Sequence, residues 1–337
     1  MTLLSITDEK LRIFVRELFS KRVLFAPVKR NGYFEFSRLS NPEDIILNYT
    51  NTRLSPKRLF LPQRQLLFKY YPKKGVTQES EEHSNAVLFG VRPCDASALS
   101  VLDSILLKLP YKDNFYENRR RETIVISLSC IKPMAECFCN VFETGPIRGT
   151  GEDLTLTPVN KVFIVEVRTP RGMMIVEDFG KLFTEAGREI LEEYKILIRE
   201  AVNEMDRRLR IDKKKLIGLE KEIGEEFFQL NAQRCIECSI CSFTCPVCYC
   251  FETEDFLEGD HYSRFRGWDT CVHPLFTKMA SGLDPRSTKA DRIYHRFCHK
   301  LSRIPLAFNT YGCVGCGRCV SLCPTGIDIK EVLEKWG

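Results

Sequence analysis

The sequence predicts an α/β N-terminal domain followed by an α-helical domain organised around two cysteine loops. Three observations predict this. Short β-rich apolar runs alternate with a helical pattern over residues 1–180, a charged stretch of helical periodicity follows over 181–233, and the cysteines bunch over 234–337. Six of the sixteen lie between Cys235 and Cys250 and four between Cys313 and Cys323. A chain of 337 residues has room for about two domains, so the cysteine loops share it with a second core.

In the first region AVLFGV (Ala86 to Val91) and TIVISLS (Thr123 to Ser129) have strand composition. DASALSVLDSILLKL from Asp95 opens on an N-cap residue and continues with helical apolar spacing. Strand, helix, strand implies a parallel pair. KVFIVEVR (Lys161 to Arg168) and MMIVE (Met173 to Glu177) flank TPRG and are expected to form a hairpin. Beyond Lys181, LFTEAGREILEEYKILIREAVNEMDRRL places apolar residues every three or four positions, the pattern of a helix that braces the two halves.

The bunched cysteines form two loops of one spacing, CIECSICSFTCP from Cys235 and CVGCGRCVSLCP from Cys313, both C-x2-C-x2-C-x3-C-P. Three thiolates this close wrap one [4Fe-4S] cubane. The fourth, followed by proline, ligates the other cluster in two-cluster ferredoxins. Cys235, Cys238, Cys241 and Cys323 are thus expected at one cluster, and Cys313, Cys316, Cys319 and Cys245 at the second. Structural zinc is the competing reading, but a zinc site closes with four ligands and has no use for the repeated third cysteine or for Pro246 and Pro324. The 67 residues between the loops exceed a compact ferredoxin's connection, which favours an α-helical dicluster ferredoxin fold. Gly312, Gly315 and Gly317 in the second loop are expected to relieve crowding and free backbone N–H groups for cluster sulfur, where the first loop has Ile236, Glu237, Ile240 and Phe243. Unequal potentials are expected from that contrast.

Four further cysteines, Cys94, Cys130, Cys137 and Cys139, lie in the first region. Cys94 and Cys130 directly follow the two strands, on the sheet edge where α/β folds bind ligands, and the CFC segment lies in a loop able to fold back over them. A third [4Fe-4S] cluster is expected there, against buried apolar cysteines or a zinc site as alternatives. Cys248, Cys250 and Cys271 read mainly as packing beside a cluster, with a further site involving Cys298 as the alternative. His295 and His299 have helical spacing but no H-E-x-x-H context.

No run of eighteen apolar residues occurs and the opening segment is charged throughout, so the expected location is cytoplasmic, without a membrane span. A net charge of +5 is too mild to argue for nucleic acid, and Arg119 to Arg121 and Lys213 to Lys215 read as solvated faces. No dinucleotide or P-loop fingerprint appears, so flavin or NAD(P) is assigned to another chain of a complex.

GVRPCDASAL (Gly90 to Leu99), CFC, CIECSICSFTCPVCYCFE, WDTC, ASGLDPRSTKADRIYHRF and YGCVGCGRCVSLCPTGIDI together resemble the β subunit of cytoplasmic NiFe sulfhydrogenases, and also the electron-transfer subunit of anaerobic sulfite reductase, a sister family. The resemblance covers about 250 residues from Asn85 onward, RPCD, CFC and the RxTK stretch at Arg286 to Lys289 being its most specific pieces. It implies an iron–sulfur subunit of a hetero-oligomer. Such a protein relays electrons between a hydrogenase or sulfur-reducing site and a partner that binds flavin and NAD(P). The resemblance also agrees with a cluster at Cys94, Cys130, Cys137 and Cys139.

Three functions follow for comparison. The chain is an electron-transfer subunit with no bond chemistry of its own, in a hydrogenase or sulfite reductase complex. Alternatively its N-terminal cluster reduces sulfur or polysulfide directly, or the cysteines staple an interaction module with zinc.

Overall fold

The computed structural model describes residues 3–77, 85–209, 211–218 and 223–336. Its strands in chain order are β1 (Leu4–Thr7), β2 (Val23–Arg30), β3 (Tyr33–Arg38), β4 (Arg64–Tyr71), β5 (Gly75–Thr77), β6 (Ala86–Val91), β7 (Thr123–Leu128), β8 (Leu154–Val159), β9 (Val162–Val167), β10 (Thr184–Glu185), β11 (Phe251–Glu258) and β12 (His261–Trp268). The α-helices are α1 (Asp8–Lys21), α2 (Pro93–Leu106), α3 (Asn114–Glu122), α4 (Pro170–Asp178), α5 (Arg188–Arg208), α6 (Glu225–Arg234), α7 (Ile240–Phe243), α8 (Lys289–Cys298), α9 (Ile304–Phe308), α10 (Arg318–Ser321) and α11 (Lys330–Trp336). A π-helical turn, His299–Arg303, joins α8 to α9.

One eight-stranded sheet, ordered β10-β1-β9-β8-β7-β6-β2-β3, organises the first half. Its centre, β8-β7-β6-β2, is parallel and its margins are antiparallel. β6 and β7 are buried at every position, as strands covered on both faces must be, and this is why their sequences read as continuous apolar runs. Helix α1 is capped by the Thr7 side chain, which accepts from Lys10 N, and it buries Leu11, Phe14, Val15 and Leu18 along one stripe. Each such side chain contributes about 1.5–3 kcal/mol of transfer free energy. Phe14 meets Phe89, Phe179 and Phe183 at ring separations of 6.3, 5.1 and 5.4 Å.

The parallel pair and its intervening helix stand where the sequence placed them, but the expected hairpin does not form. Val162–Val167 pairs instead with the preceding strand β8, and MMIVE belongs to helix α4. Thr169 and Pro170, expected at a turn, start that helix: the Thr169 hydroxyl accepts from Gly172 N, and Pro170 sits in the first turn, where no N–H is needed.

The Arg119 to Arg121 run is a solvated face only at Arg121. Arg119 is buried and donates to Phe60 O, and Arg120 pairs with Asp103 at 3.1 Å. The brace expected over 181–233 contains α5 and α6; residues 210 and 219–222 lie outside the described residues.

The insert between the two cysteine loops is not wholly helical. It carries the β11–β12 hairpin, and β12 pairs with β4 of the first half to build a second sheet, β11-β12-β4-β5. The halves are therefore interlocked. β11, the outer strand, is exposed throughout and rich in acidic residues, which discourages edge-to-edge association. No helix among the described residues is long and apolar enough to cross a membrane.

Candidate metal centre

The two ferredoxin-type loops have the same backbone. Each places two residues in the left-handed region, Glu237 (φ 56°) and Ser239 (φ 62°) in the first, Gly315 (φ 60°) and Gly317 (φ 74°) in the second. Each also directs the N–H two residues on at its leading sulfur, Glu237 N to Cys235 Sγ at 3.4 Å and Gly315 N to Cys313 Sγ at 3.5 Å. This hydrogen bond to the leading sulfur therefore does not distinguish the loops. Close approach does. A Cβ on Gly315 would lie 2.4 Å from the carbonyl of Phe138, and one on Gly317 2.9 Å from that of Glu136, because the CFC segment lies backbone to backbone against the second loop. Phe138 N donates to Gly315 O at 2.8 Å, and Thr144 Oγ1 to Val314 O at 2.8 Å. The first loop has no such neighbour among the described residues and tolerates side chains.

Cys94 is the second residue of α2, Cys130 lies two residues past β7, and Cys137 and Cys139 bring the returning loop over the same sheet edge. Cys137 and Cys139 pack with Cys94, Met134 and Met205, the last contributed by α5. Cys137 Sγ lies 3.6 Å from Cys316 O. Cys94, Cys137 and Cys139 are thus packed together directly beside the second loop, and Cys130 follows β7 at the same sheet edge. On the other side Cys235, Cys238, Cys241 and Cys323 line one cavity, and Cys319 of the second loop reaches its wall. The order in space is N-terminal set, second-loop set, first-loop set.

The polar groups that hold these sets together were largely invisible in the sequence. Arg318, between Cys316 and Cys319, forms a bidentate pair with Asp95, next to Cys94, at 2.6 Å on both arms, with both side chains at most 2% exposed. Its Nε donates to Thr52 O at 2.8 Å, and Asn51 Nδ2 donates to Cys316 O at 2.9 Å. In the RxTK stretch, Thr288 caps α8 in a capping box with Asp291, and Lys289 Nζ donates to Cys235 O at 3.1 Å.

Three cations are buried among the thiols. Lys300 Nζ donates to Cys245 Sγ at 3.3 Å and Gly312 O at 3.0 Å. Arg296 donates to Cys241 O at 2.9 Å, with Nη1 3.9 Å from Cys248 Sγ. Lys57 Nζ donates to Cys248 O at 2.8 Å. All three are at most 6% exposed, and none has a carboxylate partner among the described residues. A buried cation without a counter-charge costs several kcal/mol. Burial opposes the charged form of Lys300, yet the thiolates of Cys245 and Cys248 keep its pKa above the ordinary lysine range. Burial also pushes the Cys313 thiol up to about 11 and Cys319 up to about 12, whereas the hydrogen bond from Cys245 and the three cations hold Cys248 well below the ordinary thiol range. A metal centre that displaces the protons of the remaining thiols adds negative charge beside these cations. The donor set therefore fits an iron–sulfur group. Among the described residues no three His, Cys, Asp or Glu side chains are arranged to hold a single ion.

The remaining expectations resolve differently. Cys298 packs with Phe297 and Leu301 in an apolar cluster. The rings of His295 and His299 stack at 5.0 Å, and burial pushes their pKa values down to about 3 and about 4, leaving both neutral.

Residues 234–327 match the 4Fe-4S dicluster domain family. Over 314 residues, covering 93% of this chain and 91% of the relative, the sequence is 30% identical to the sulfhydrogenase 2 subunit beta of Pyrococcus furiosus. With cysteine loops of this spacing, the chain is an iron–sulfur electron-transfer subunit that binds [4Fe-4S] clusters. It belongs to the sulfhydrogenase beta-subunit family.

Proposed function

We propose that the three thiol sets hold three [4Fe-4S] clusters in series, and that in the cytoplasm the chain passes electrons between a hydrogenase or sulfur-reducing site and a partner that binds flavin and NAD(P). On this reading Cys235, Cys238, Cys241 and Cys323 hold one cluster, Cys313, Cys316, Cys319 and Cys245 the second, and Cys94, Cys130, Cys137 and Cys139 the third. The C-terminal region is then a helical dicluster ferredoxin with a β-hairpin set into it. The observation that supports the series best is the backbone contact of the CFC segment with the second loop, which makes those two sets neighbours. The similarity to a sulfhydrogenase subunit favours a hydrogenase-side partner over a sulfite reductase.

Anaerobically purified protein is expected to contain about twelve iron and twelve acid-labile sulfide per chain, with EPR signals of reduced clusters after dithionite. About eight of each retires the N-terminal cluster alone. Colourless, zinc-containing protein refutes the whole reading.

Lys300 provides a finer test. A positive charge donating to the sulfur of Cys245 stabilises the more negative, reduced cluster and so raises its potential. Lys300→Met is expected to lower one cluster's potential by on the order of 50 mV, from the strength of a charge-assisted hydrogen bond. Lys300→Arg restores much of the shift. A potentiometric EPR titration in which all potentials stay within error of wild type assigns Lys300 a packing role only.

A further inference from the structure

A cavity of about 550 Å³ opens beside Cys130 at the C-terminal edge of the parallel strands, a volume within the range of small-molecule sites. Leu11 from α1, Ile45 and Phe163 contribute apolar wall. At the end nearest the N-terminal thiols the lining changes to Arg92, Cys130 and Lys132.

Arg92 is 6% exposed, so it is a buried cation. Its Nε donates to Thr50 O at 3.1 Å, and Nη1 to Leu128 O at 3.2 Å and Ser129 O at 2.9 Å. Nη2 has no hydrogen-bond partner among the described residues, and neither Arg92 nor Lys132 has a carboxylate partner there. The acids that line the cavity are already paired, Asp8 with Arg12 at 3.4 Å and Glu43 with Arg16 at 2.7 Å. The inner end therefore carries two cations without a carboxylate partner among the described residues, Arg92, whose guanidinium lies over the Tyr49 ring at 4.1 Å, and the exposed Lys132, while the cavity has an apolar wall and is far larger than an inorganic anion.

We propose that this cavity binds a ring-bearing organic anion of the size of flavin mononucleotide, its ring against the apolar wall and its anionic group toward Arg92 and Lys132. The position beside Cys130 puts such a ligand at the N-terminal end of the thiol series. That role as an electron carrier rests on the relay proposed above; the binding itself does not.

The test is a calorimetric titration of the iron-loaded full chain with flavin mononucleotide, with riboflavin and inorganic phosphate as probes lacking the anion and the ring respectively. One flavin mononucleotide per chain is expected, with riboflavin weaker by about ten-fold, the value of one charge-assisted contact, and phosphate weaker still. Lys132→Gln and Arg92→Gln are each expected to weaken binding about ten-fold, and Ile45→Trp, which fills the cavity from a half-buried position, to abolish it.

Absence of binding to wild type, undiminished binding to Ile45→Trp, or phosphate binding as tightly as the flavin each overturns the proposal. Iron is counted in every sample. About eight iron with binding intact removes the N-terminal cluster and leaves the cavity's assignment standing; about twelve iron without binding does the reverse.

Discussion

Asp95→Asn is expected to destabilise the iron-loaded protein by about 3–5 kcal/mol, the cost of removing one partner from a buried ion pair. The carboxylate takes both arms of the Arg318 guanidinium at 2.6 Å in a place where neither side chain sees solvent. Without the carboxylate, Arg318 keeps its charge and only neutral acceptors remain beside it, the amide oxygen at position 95 and the oxygens of Thr52. A loss of this size is a large part of a domain's usual 5–15 kcal/mol.

The pair also joins α2, which starts at the Cys94 segment, to the second cysteine loop, so the N-terminal half should loosen from that loop as stability falls. Anaerobic denaturant unfolding measures the effect. The double variant Asp95→Leu with Arg318→Met, which removes both charges, should recover part of the loss, because an apolar pair leaves no buried charge unmatched. A single-variant change below about 1 kcal/mol contradicts this account of the contact.

Gly315→Ala is expected to strip the N-terminal iron while leaving the fold. Two penalties combine at this position. The φ of 60° costs an alanine on the order of 1–2 kcal/mol. A methyl group 2.4 Å from the carbon and oxygen of Phe138 must also push the CFC segment away, breaking the 2.8 Å bond from Phe138 N to Gly315 O.

Gly326 supplies the control. It has a similar φ of 66°, but a Cβ there meets only the end of the Arg234 side chain at 3.6 Å. Gly326→Ala should therefore show the backbone cost alone and keep its full iron. Expected iron for Gly315→Ala is about eight per chain against about twelve for Gly326→Ala. Equal iron in the two variants means that the close packing of the loops does not matter to cluster retention.

The contrast between these glycines and their counterparts Glu237 and Ser239 shows how far a sequence reading reached. The repeated cysteine spacing, the parallel pair β6 and β7 and the position of Cys94 and Cys130 after the strands were all legible, because each depends on local spacing or on an apolar run a few residues long. The crowding that the glycines relieve was legible, but not its source at Gly315 and Gly317, which is residues 136–139, remote in sequence. MMIVE was misread as a strand for a related reason: a five-residue apolar run suits either structure, and the cap at Thr169 decides.

By itself, then, the sequence determined which thiols repeat in one ligand spacing and which segments form the sheet edge beside them. Only the tertiary structure decided what neutralises and orients them: the Asp95–Arg318 pair, 223 residues apart, the Lys300, Arg296 and Lys57 cations buried among the sulfurs, and the strand β12 that crosses to β4. The physical reason is that thiol spacing is a property of a dozen consecutive residues, whereas the counter-charge of a buried group is set by whichever distant side chain the fold brings within reach of it.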